Sequence, residues 1–217
     1  MLNVYCIPGM GVNERLFRNL KLENVTIIHI KWETPFKNEP LPDYAMRLSK
    51  QIDTTKPFAL IGVSFGGMCS VEISKQLNPV KTFIISSSKF HEELPLKITF
   101  WRKIPLYRFF RDGFYKNAVM LAKKQFGVFT EEQKTNFRKM LDEAPENYFN
   151  GAVDCIVKWE NSSRPENLIH IHGDHDRVLP HRKVVACDYT IEGGTHFMII
   201  NKAEEINKII NAELKDC

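Results

Sequence analysis

The sequence predicts an α/β fold with a mostly parallel sheet of about six strands and helices on both faces. Short apolar runs, typical of strands buried on both faces, alternate with segments of helical periodicity. The chain has 217 residues, 43% of them hydrophobic, which is enough for one substantial core and short for two independent domains. We therefore expect a single domain that carries an insertion.

Six segments have the apolar or β-branched pattern of a buried strand: residues 3–7, 25–30, 58–61, 80–86, 167–171 and 185–191. Helical patterns follow several of them, at residues 13–17, 41–48, 68–77 and 204–214. Pro8 and Gly9 stop the first strand pattern, and the helix at Leu41 opens with a proline and an aspartate in its first turn. This alternation of strands and helices is the pattern of a parallel sheet covered on both sides.

Between residues 88 and 162 the pattern changes to one helix after another, rich in aromatic and basic residues. No strand pattern returns before residue 167. We expect a core formed by residues 1–87 and 163–217, with residues 88–162 inserted into the same domain as a helical cap or lid.

Residues 100–111, within this expected cap, mix aromatic and cationic side chains at near-helical spacing. Three interpretations stay open. The segment could pack its aromatic side chains on the core with its charges in water, roof an apolar acyl pocket, or lie on an anionic membrane surface. Membrane contact is the least favoured of the three because Pro105 interrupts the helix.

Charge and cysteine usage exclude several classes of protein. The net charge is +4 and the charged residues are spread along the chain, so the basic stripe of a nucleic-acid-binding protein is missing. No apolar run reaches the roughly 18 residues of a membrane-spanning helix. The chain shows no signal-peptide pattern and no CxxC pair, which favours a cytoplasmic protein with reduced thiols. Its scattered cysteines are expected to be small core residues or, for the last, part of an exposed tail: Cys6, Cys69, Cys155, Cys187 and Cys217.

The residues Gly62-Val63-Ser64-Phe65-Gly66 spell GxSxG between an apolar run and a helical pattern. This is the context of a nucleophile elbow, in which a sharp turn from strand to helix exposes the serine hydroxyl. The turn strains the serine backbone, and small residues two positions to either side keep the strand and the helix from colliding. Ser64 is therefore the candidate nucleophile, against the alternative of an ordinary tight turn.

A serine hydroxyl needs a nearby base and a third group that orients this base. Asp174 and Asp176 directly follow the apolar strand 168–171, and His196 follows the last strand in a glycine-rich loop. These are the carboxyl ends of parallel strands, where catalytic groups gather in open sheets. The order serine, aspartate, histidine along the chain is that of an α/β-hydrolase triad.

With these residues the chain resembles the α/β-hydrolase fold superfamily, over nearly its full length outside residues 88–162. In that superfamily the acid usually lies in a pattern of glycine, two residues, aspartate, three residues and proline. Gly173, Asp176 and Pro180 match this pattern. The resemblance therefore implies Asp176 as the acid, with Asp174 as the second choice, and Ser64 and His196 as nucleophile and base.

The resemblance also implies an oxyanion hole formed by two backbone amides. One is the amide of Phe65, the residue after the nucleophile. The second comes from the turn after the first strand, where family members usually have His-Gly and this chain has Pro8-Gly9-Met10-Gly11. Both Met10 and Gly9 are candidates for this second donor.

These residues predict a carboxylesterase-like serine hydrolase that cleaves an ester or related acyl bond of a small molecule through an acyl-enzyme, without cofactor or metal. A thioesterase, amidase or acyltransferase would use the same triad. A weakly catalytic protein of this fold that binds a small molecule is an alternative of a different class. The sequence does not predict the substrate-binding residues.

One motif points to a different chemistry. His170-Ile171-His172-Gly173-Asp174-His175 reads HxHxDH, the zinc motif of metallo-β-lactamase-like hydrolases. That fold needs further histidine and aspartate ligands far downstream, whereas only residues 176–217 remain here, with His181 and His196 as their only histidines. His170 and His172 alternate with isoleucines on a strand, so burial or contact with a site residue is the simpler interpretation.

Overall fold

The computed structural model describes residues 1–127 and 130–215. At its centre is a six-stranded sheet with the order β2-β1-β3-β4-β5-β6, in which every neighbouring pair is parallel. The strands are β1 (Leu2–Ile7), β2 (Val25–His29), β3 (Phe58–Val63), β4 (Lys81–Ile85), β5 (Leu168–Gly173) and β6 (Tyr189–Ile191). The predicted α/β architecture of about six strands is confirmed.

The described residues form these α-helices: α1 (Leu41–Leu48), α2 (Phe65–Leu77), α3 (Leu96–Lys103), α4 (Asp112–Leu121), α5 (Lys123–Phe126), α6 (Glu131–Asp142), α7 (Tyr148–Lys158), α8 (Met198–Asn201) and α9 (Ala203–Leu214). Short 3-10 turns lie at Glu14–Phe17, Ser49–Gln51, His91–Glu93, Leu106–Phe109 and His181–Lys183. No helix in the described ranges is long and apolar enough to cross a bilayer.

The helical pattern that starts at Asn13 forms only a single 3-10 turn, Glu14–Phe17. Beyond this turn, the backbone N–H groups of Lys21 and Glu23 donate to side-chain oxygens of α9. Backbone donors that are satisfied by another element have no need of helical partners, which is why the helix does not continue.

Helices pack against both faces of the sheet. Crossovers between parallel strands are right-handed in nearly all sheets. The crossovers from β2 to β3 and from β3 to β4 run in the same direction, so their helices α1 and α2 lie on one face, where they pack against each other. By the same rule the Glu14–Phe17 turn, on the opposite crossover from β1 to β2, lies on the other face, where α8 contacts the turn and α9 contacts α8. Asn19 joins them, because its side chain donates to the carbonyl of Ile200 at 3.1 Å and its carbonyl accepts from Asn207 at 3.0 Å.

The strands in the middle of the sheet are buried on both faces. Every residue of β3 and of β5 is buried, including the two histidines of β5. Of the described cysteines, all of them free, Cys6, Cys69 and Cys155 are buried and Cys187 is partly buried. Cys217, which the sequence places in an exposed tail, lies outside the described residues.

Five helices of the described residues, α3 to α7, lie between β4 and β5, and we call the described residues of this stretch the helical segment. The indole of Trp159 donates to Glu72 of α2 at 2.7 Å, which joins the end of the segment to the core. The Tyr148 ring packs on Trp32, with 5.6 Å between ring centroids. The boundaries of the predicted cap, residues 88 and 162, stay a prediction.

The aromatic and basic stretch 100–111 divides at Pro105, as the sequence predicts. Helix α3 ends at Lys103, and a 3-10 turn follows the proline. Trp101 packs edge-on against Tyr107, with ring centroids 5.8 Å apart, whereas Phe100 and Phe109 are 58% and 82% exposed. Part of the stretch therefore packs inward and part faces solvent.

Candidate active site

Ser64 lies in the turn between the end of β3 and the start of α2. Its backbone has φ 52° and ψ −119°, a conformation that side-chain-bearing residues rarely adopt. The Ser64 amide donates to the carbonyl of Ile85 at 3.0 Å, and the Ser87 hydroxyl donates to the Ser64 carbonyl at 2.7 Å. These bonds from the neighbouring strand end hold the strained turn in place.

The two glycines of the motif are required by close packing at this turn. A Cβ atom on Gly62 would overlap the hydroxyl of Ser70 and the backbone of α2. A Cβ atom on Gly66 would overlap the carbonyl oxygens of Ile7 and Pro8 at the end of β1. The helix can therefore approach the two strands only with glycine at both positions.

His196 follows β6 and is 3% exposed. Its Nε2 atom lies 2.9 Å from the Ser64 hydroxyl, and its Nδ1 atom lies 2.7 Å from Oδ2 of Asp176. An ionised carboxylate can only accept, so Nδ1 donates its proton to Asp176 and Nε2 carries the lone pair that faces the serine hydroxyl. The structure thus brings the three residues together in one hydrogen-bonded line.

Asp176 is buried, and its two oxygens have different partners. Oδ1 accepts from the amides of Val178 and Leu179 at 2.8 and 2.9 Å, while Oδ2 faces His196. Burial raises the pKa of Asp176, but attraction to His196 and His172 and the hydrogen bonds outweigh it, so the pKa lies below its usual value. The carboxylate is therefore ionised at neutral pH, as an acceptor for the His196 proton must be.

Asp174 lies apart from this line. Its Oδ1 faces Nδ1 of His175 at 2.7 Å on the protein surface, and the His175 side chain is 65% exposed. A surface pair of this kind leaves Asp174 no route to His196. Between the two aspartates that the sequence leaves open, the geometry favours Asp176.

The residues predicted to supply oxyanion donors lie close to Ser64. Phe65 is the first residue of α2, and helix geometry leaves the N–H of a first residue without an intrahelical partner. A Cβ atom on Gly9 would lie 3.7 Å from that of Ser64, so this turn packs directly against the serine. Met10 borders the cavity in front of Ser64. Phe65, Gly9 and Met10 thus all border the cavity in front of Ser64, and their role as oxyanion donors stays a prediction.

Neither a known protein family nor a curated protein sequence matches the chain. Solved structures do match it. MenH from S. aureus aligns with a TM-score of 0.72 at 14% identity, over 99% of this chain and 94% of that one. A bromoperoxidase from Bacillus anthracis aligns at 0.69 and 16% identity, over 99% and 92%. A lipase-esterase related protein from Clostridium acetobutylicum aligns at 0.68 and 17% identity, over 97% and 93%.

All of these structures belong to the α/β-hydrolase fold, and each alignment covers more than nine-tenths of both chains. The chain has the α/β-hydrolase fold. At such low identity the likeness establishes the fold alone, and the chemistry has to be argued from the residues of this chain.

In this α/β-hydrolase fold an apolar cavity of about 140 Å³ opens in front of Ser64 and His196. Among the described residues that line it, Ser64 and His196 are the only ones with a polar side chain. The others are Gly9, Met10, Val12, Leu16, Val63, Phe65, Met68, Ile98, Val119, Phe126, Phe137, Ile156, Val178, Leu179 and Phe197. Such a lining favours an uncharged, apolar group beside the serine.

Each helix of the helical segment contributes one side chain to this cavity: Ile98 from α3, Val119 from α4, Phe126 from α5, Phe137 from α6 and Ile156 from α7. The sequence does not mark any of them as a site residue. The amphipathic pattern of a helix marks its apolar face, but nothing in it separates residues that fill the core from those that border a cavity.

The helical segment also contacts His196 and the residues that follow it. The Phe126 ring stands edge-on to the imidazole of His196, with 5.4 Å between centroids. The carbonyl of Phe126 accepts from the Phe197 amide at 2.8 Å, and the carbonyl of Gly127 accepts from the Asn201 side chain at 3.0 Å. We call this set of contacts, made by Phe126 and Gly127 with Phe197, Asn201 and His196, the clamp.

The two histidines of β5 are completely buried and hydrogen-bonded to each other. His170 Nε2 lies 3.1 Å from His172 Nδ1, and His172 Nε2 lies 2.8 Å from the carbonyl of Leu179. Burial lowers the pKa of both imidazoles. In the described part of the chain no three His, Cys, Asp or Glu side chains are grouped as metal ligands. His170 and His172 are thus buried next to the candidate site, which is the simpler interpretation of the HxHxDH motif.

Proposed function

We propose that this protein is a serine hydrolase that cleaves a carboxylic ester with a short, uncharged acyl group through an acyl-enzyme. The hydrogen-bonded line from Ser64 through His196 to Asp176, with distances of 2.9 and 2.7 Å, carries the proposal. A hydroxyl, a neutral imidazole and an ionised carboxylate in this order form the arrangement that activates a serine for attack on a carbonyl.

In the first half of the reaction, the Ser64 hydroxyl oxygen attacks the carbonyl carbon of the ester while its proton moves to His196 Nε2. Asp176 stabilises the imidazolium that forms and keeps its Nδ1 proton in place. The negative charge on the former carbonyl oxygen is stabilised by the amides of Phe65 and Met10, each contributing on the order of 10²- to 10³-fold in rate. The imidazolium then protonates the departing alcohol, which leaves the acyl group on Ser64.

In the second half, a water molecule takes the place of the alcohol. His196 removes a proton from the water as its oxygen attacks the acyl carbon, and then returns the proton to Ser64. The products are the free acid and the regenerated serine. The apolar wall in front of His196 limits access of bulk water to the acyl-enzyme.

The cavity supports the assignment of the acyl group. Its volume of about 140 Å³ is close to that of an apolar protein cavity that accepts benzene, about 150 Å³, so an acyl group of roughly four to six carbons would fit. Burying a charged acid next to this lining would cost several kcal/mol without a partner. Short, uncharged acyl esters are therefore the expected substrates.

The proposal is tested by reaction with a fluorophosphonate probe, followed by mass spectrometry of the modified peptide. We expect one adduct on Ser64 of the wild type, no adduct on Ser64→Ala, and strongly reduced labelling of His196→Gln. His175→Gln is the matched control, because this exposed histidine lies outside the line and its replacement should leave labelling unchanged. Absence of an adduct on folded wild-type protein would contradict the proposal and favour a binding protein of this fold.

A protein that labels would then be assayed with p-nitrophenyl esters and the corresponding thioesters and anilides of two to twelve carbons. Faster turnover of thioesters or anilides than of esters with the same acyl group would assign the triad to a thioesterase or an amidase instead.

A further inference from the structure

A row of buried polar side chains leads to Asp176 from the side opposite to Ser64. It begins at Lys89, which follows β4 and is 1% exposed. The Lys89 ammonium group faces three acceptors: Oε1 of Glu93 at 3.1 Å, Nδ1 of His170 at 3.2 Å and the carbonyl oxygen of Val185. An ammonium group has three N–H donors and no acceptor, so each proton has one partner here.

Lys89 determines which atom donates and which accepts in each hydrogen bond along the row. Because Lys89 can only donate, Nδ1 of His170 must accept, and the single proton of a neutral His170 lies on Nε2. That proton points at Nδ1 of His172, 3.1 Å away, so His172 in turn carries its proton on Nε2. The lysine thereby selects the tautomer of a histidine two positions along the row.

The proton on His172 Nε2 reaches the loop that holds the acid. Nε2 lies 2.8 Å from the carbonyl of Leu179 and 3.5 Å from Oδ2 of Asp176. The amide of the same Leu179 donates to Oδ1 of Asp176 at 2.9 Å. His172 therefore supports the acid twice, through the backbone of Leu179 and through the oxygen that accepts from His196.

The other tautomer would reverse these contacts. A lone pair on Nε2 would then face both the Leu179 carbonyl and the Asp176 carboxylate, and two acceptors at 2.8 Å repel each other. The groups that surround the His172 ring are His170, His181, Asp176 and His196, with the His181 ring centroid 6.0 Å away. Only Asp176 among them is an anion, and it already accepts from His196.

We propose that His172 is a positioning residue for the Asp176 carboxylate, and that Lys89 acts through His170 to fix the tautomer in which His172 does so. This inference rests on the proposed function of Ser64, His196 and Asp176. Neither histidine touches the substrate, because neither borders the cavity.

The tautomers are measured on the resting protein, by long-range proton–nitrogen NMR correlation of ¹⁵N-histidine-labelled wild type at pH 7.5. We expect His170 and His172 to carry their protons on Nε2 and His196 to carry its proton on Nδ1. The double variant Lys89→Met/Glu93→Gln removes the buried pair together, so that no lone charge is left in the core. In this variant we expect the Nδ1-protonated form of His170 to appear.

The positioning role is measured with two replacements of His172. His172→Gln keeps an N–H donor that can reach Leu179, whereas His172→Leu fills the space without one. We expect His172→Leu to lower kcat by about 10- to 100-fold at unchanged KM, and His172→Gln to recover most of this loss. A residue needed only for packing would give the reverse order, because leucine is the better core residue.

Failure of this inference is distinguishable from failure of the proposed function. A wild type that does not label at Ser64 overturns the function, and the downfield Nδ1 proton of His196 then still reports its bond to Asp176 in both His172 variants. We expect this resonance to shift in His172→Leu and to stay near its wild-type position in His172→Gln. Protonation of His172 on Nδ1, or equal kcat and equal resonance positions in both variants, would overturn the inference.

Discussion

The imidazole of His196 separates two different environments. On the Ser64 side lies a cavity lined by apolar side chains, and on the Asp176 side lies a buried row of polar groups that ends at Lys89. The apolar side is built largely from helices α3 to α7, with one side chain from each. The polar side is built from strand β5 and from the loops that follow β4 and β5.

The two sides place different demands on the positions of their atoms. Hydrogen bonds on the polar side depend on atom positions within a few tenths of an ångström, and sheet strands supply such rigid positions. Apolar contacts on the cavity side depend only on volume, which many combinations of helical side chains can provide. Changes on the polar side should therefore alter the rate of reaction, and changes on the cavity side should alter the choice of substrate.

The largest effect is expected from Asp176→Asn, which removes the acceptor that fixes the tautomer of His196. We expect kcat to fall by about 10⁴-fold with little change in KM. The matched control is Asp174→Asn, two residues away on the surface, for which activity should stay within about threefold. Steady-state kinetics on an ester substrate measure both, and a greater loss in Asp174→Asn would assign the acid to that residue.

The second effect concerns stability against pH. Burial lowers the pKa of His170 and His172, so the unfolded chain, in which each has a pKa near 6.5, binds more protons than the folded protein below that value. The free energy of unfolding should fall as the pH decreases from 6.5, by up to about 1.4 kcal/mol per pH unit for each histidine. Asp176, whose pKa is held below its usual value by its attraction to His196 and its hydrogen bonds, stays ionised in this range and loses its contribution only in stronger acid.

Urea unfolding at pH 7.5, 6.5 and 5.5 measures this dependence. His172→Leu should flatten it, because one of the two groups is gone, whereas the exposed His175→Gln should leave the slope as in the wild type. An unfolding free energy that is constant between pH 7.5 and 5.5 would contradict the neutral, buried state of both histidines.

The smallest effect is expected on the cavity side. Ile98→Ala enlarges the acyl cavity, and the preference for a hexanoyl over an acetyl ester should rise by roughly tenfold at unchanged unfolding cooperativity. Phe100→Ala on the same helix is the control, because its side chain is 58% exposed and does not border the cavity. Relative kcat/KM values for the two esters measure the change. An equal change in both variants would mean that α3 affects substrate choice by another route.

The sequence predicts the framework of this molecule because its signals are local. Apolar runs mark the strands, and the spacing around Ser64 and the glycine-rich approach to His196 mark two site residues at strand ends. Asp176 was separable from Asp174 only through the resemblance, since both aspartates follow the same strand. The burial of His170 and His172 was also readable, because they alternate with isoleucines.

The rest depends on tertiary contacts that no local pattern carries. Lys89 and Glu93 have the composition of a solvated loop, yet they are 1% exposed because each is the other's partner. A charge can be buried only when its partners are in place, and although Lys89 and Glu93 are four residues apart, the carbonyl and amide of Val185 that complete the site lie far along the chain. The cavity residues carry no sequence signal for a similar reason, because only the packing of the helices decides which apolar side chains border the cavity.

The clamp limits how this protein could be re-engineered. A helical segment between two strands of a sheet can in principle be replaced by another segment, which would give the same nucleophile a different substrate specificity. Here the edge of Phe126 and the carbonyls of Phe126 and Gly127 hold the loop that contains His196. A chimaera that replaces the whole helical segment would lose both the cavity and the orientation of His196. A chimaera that exchanges only α3 and α4 would change the cavity and keep the orientation of His196.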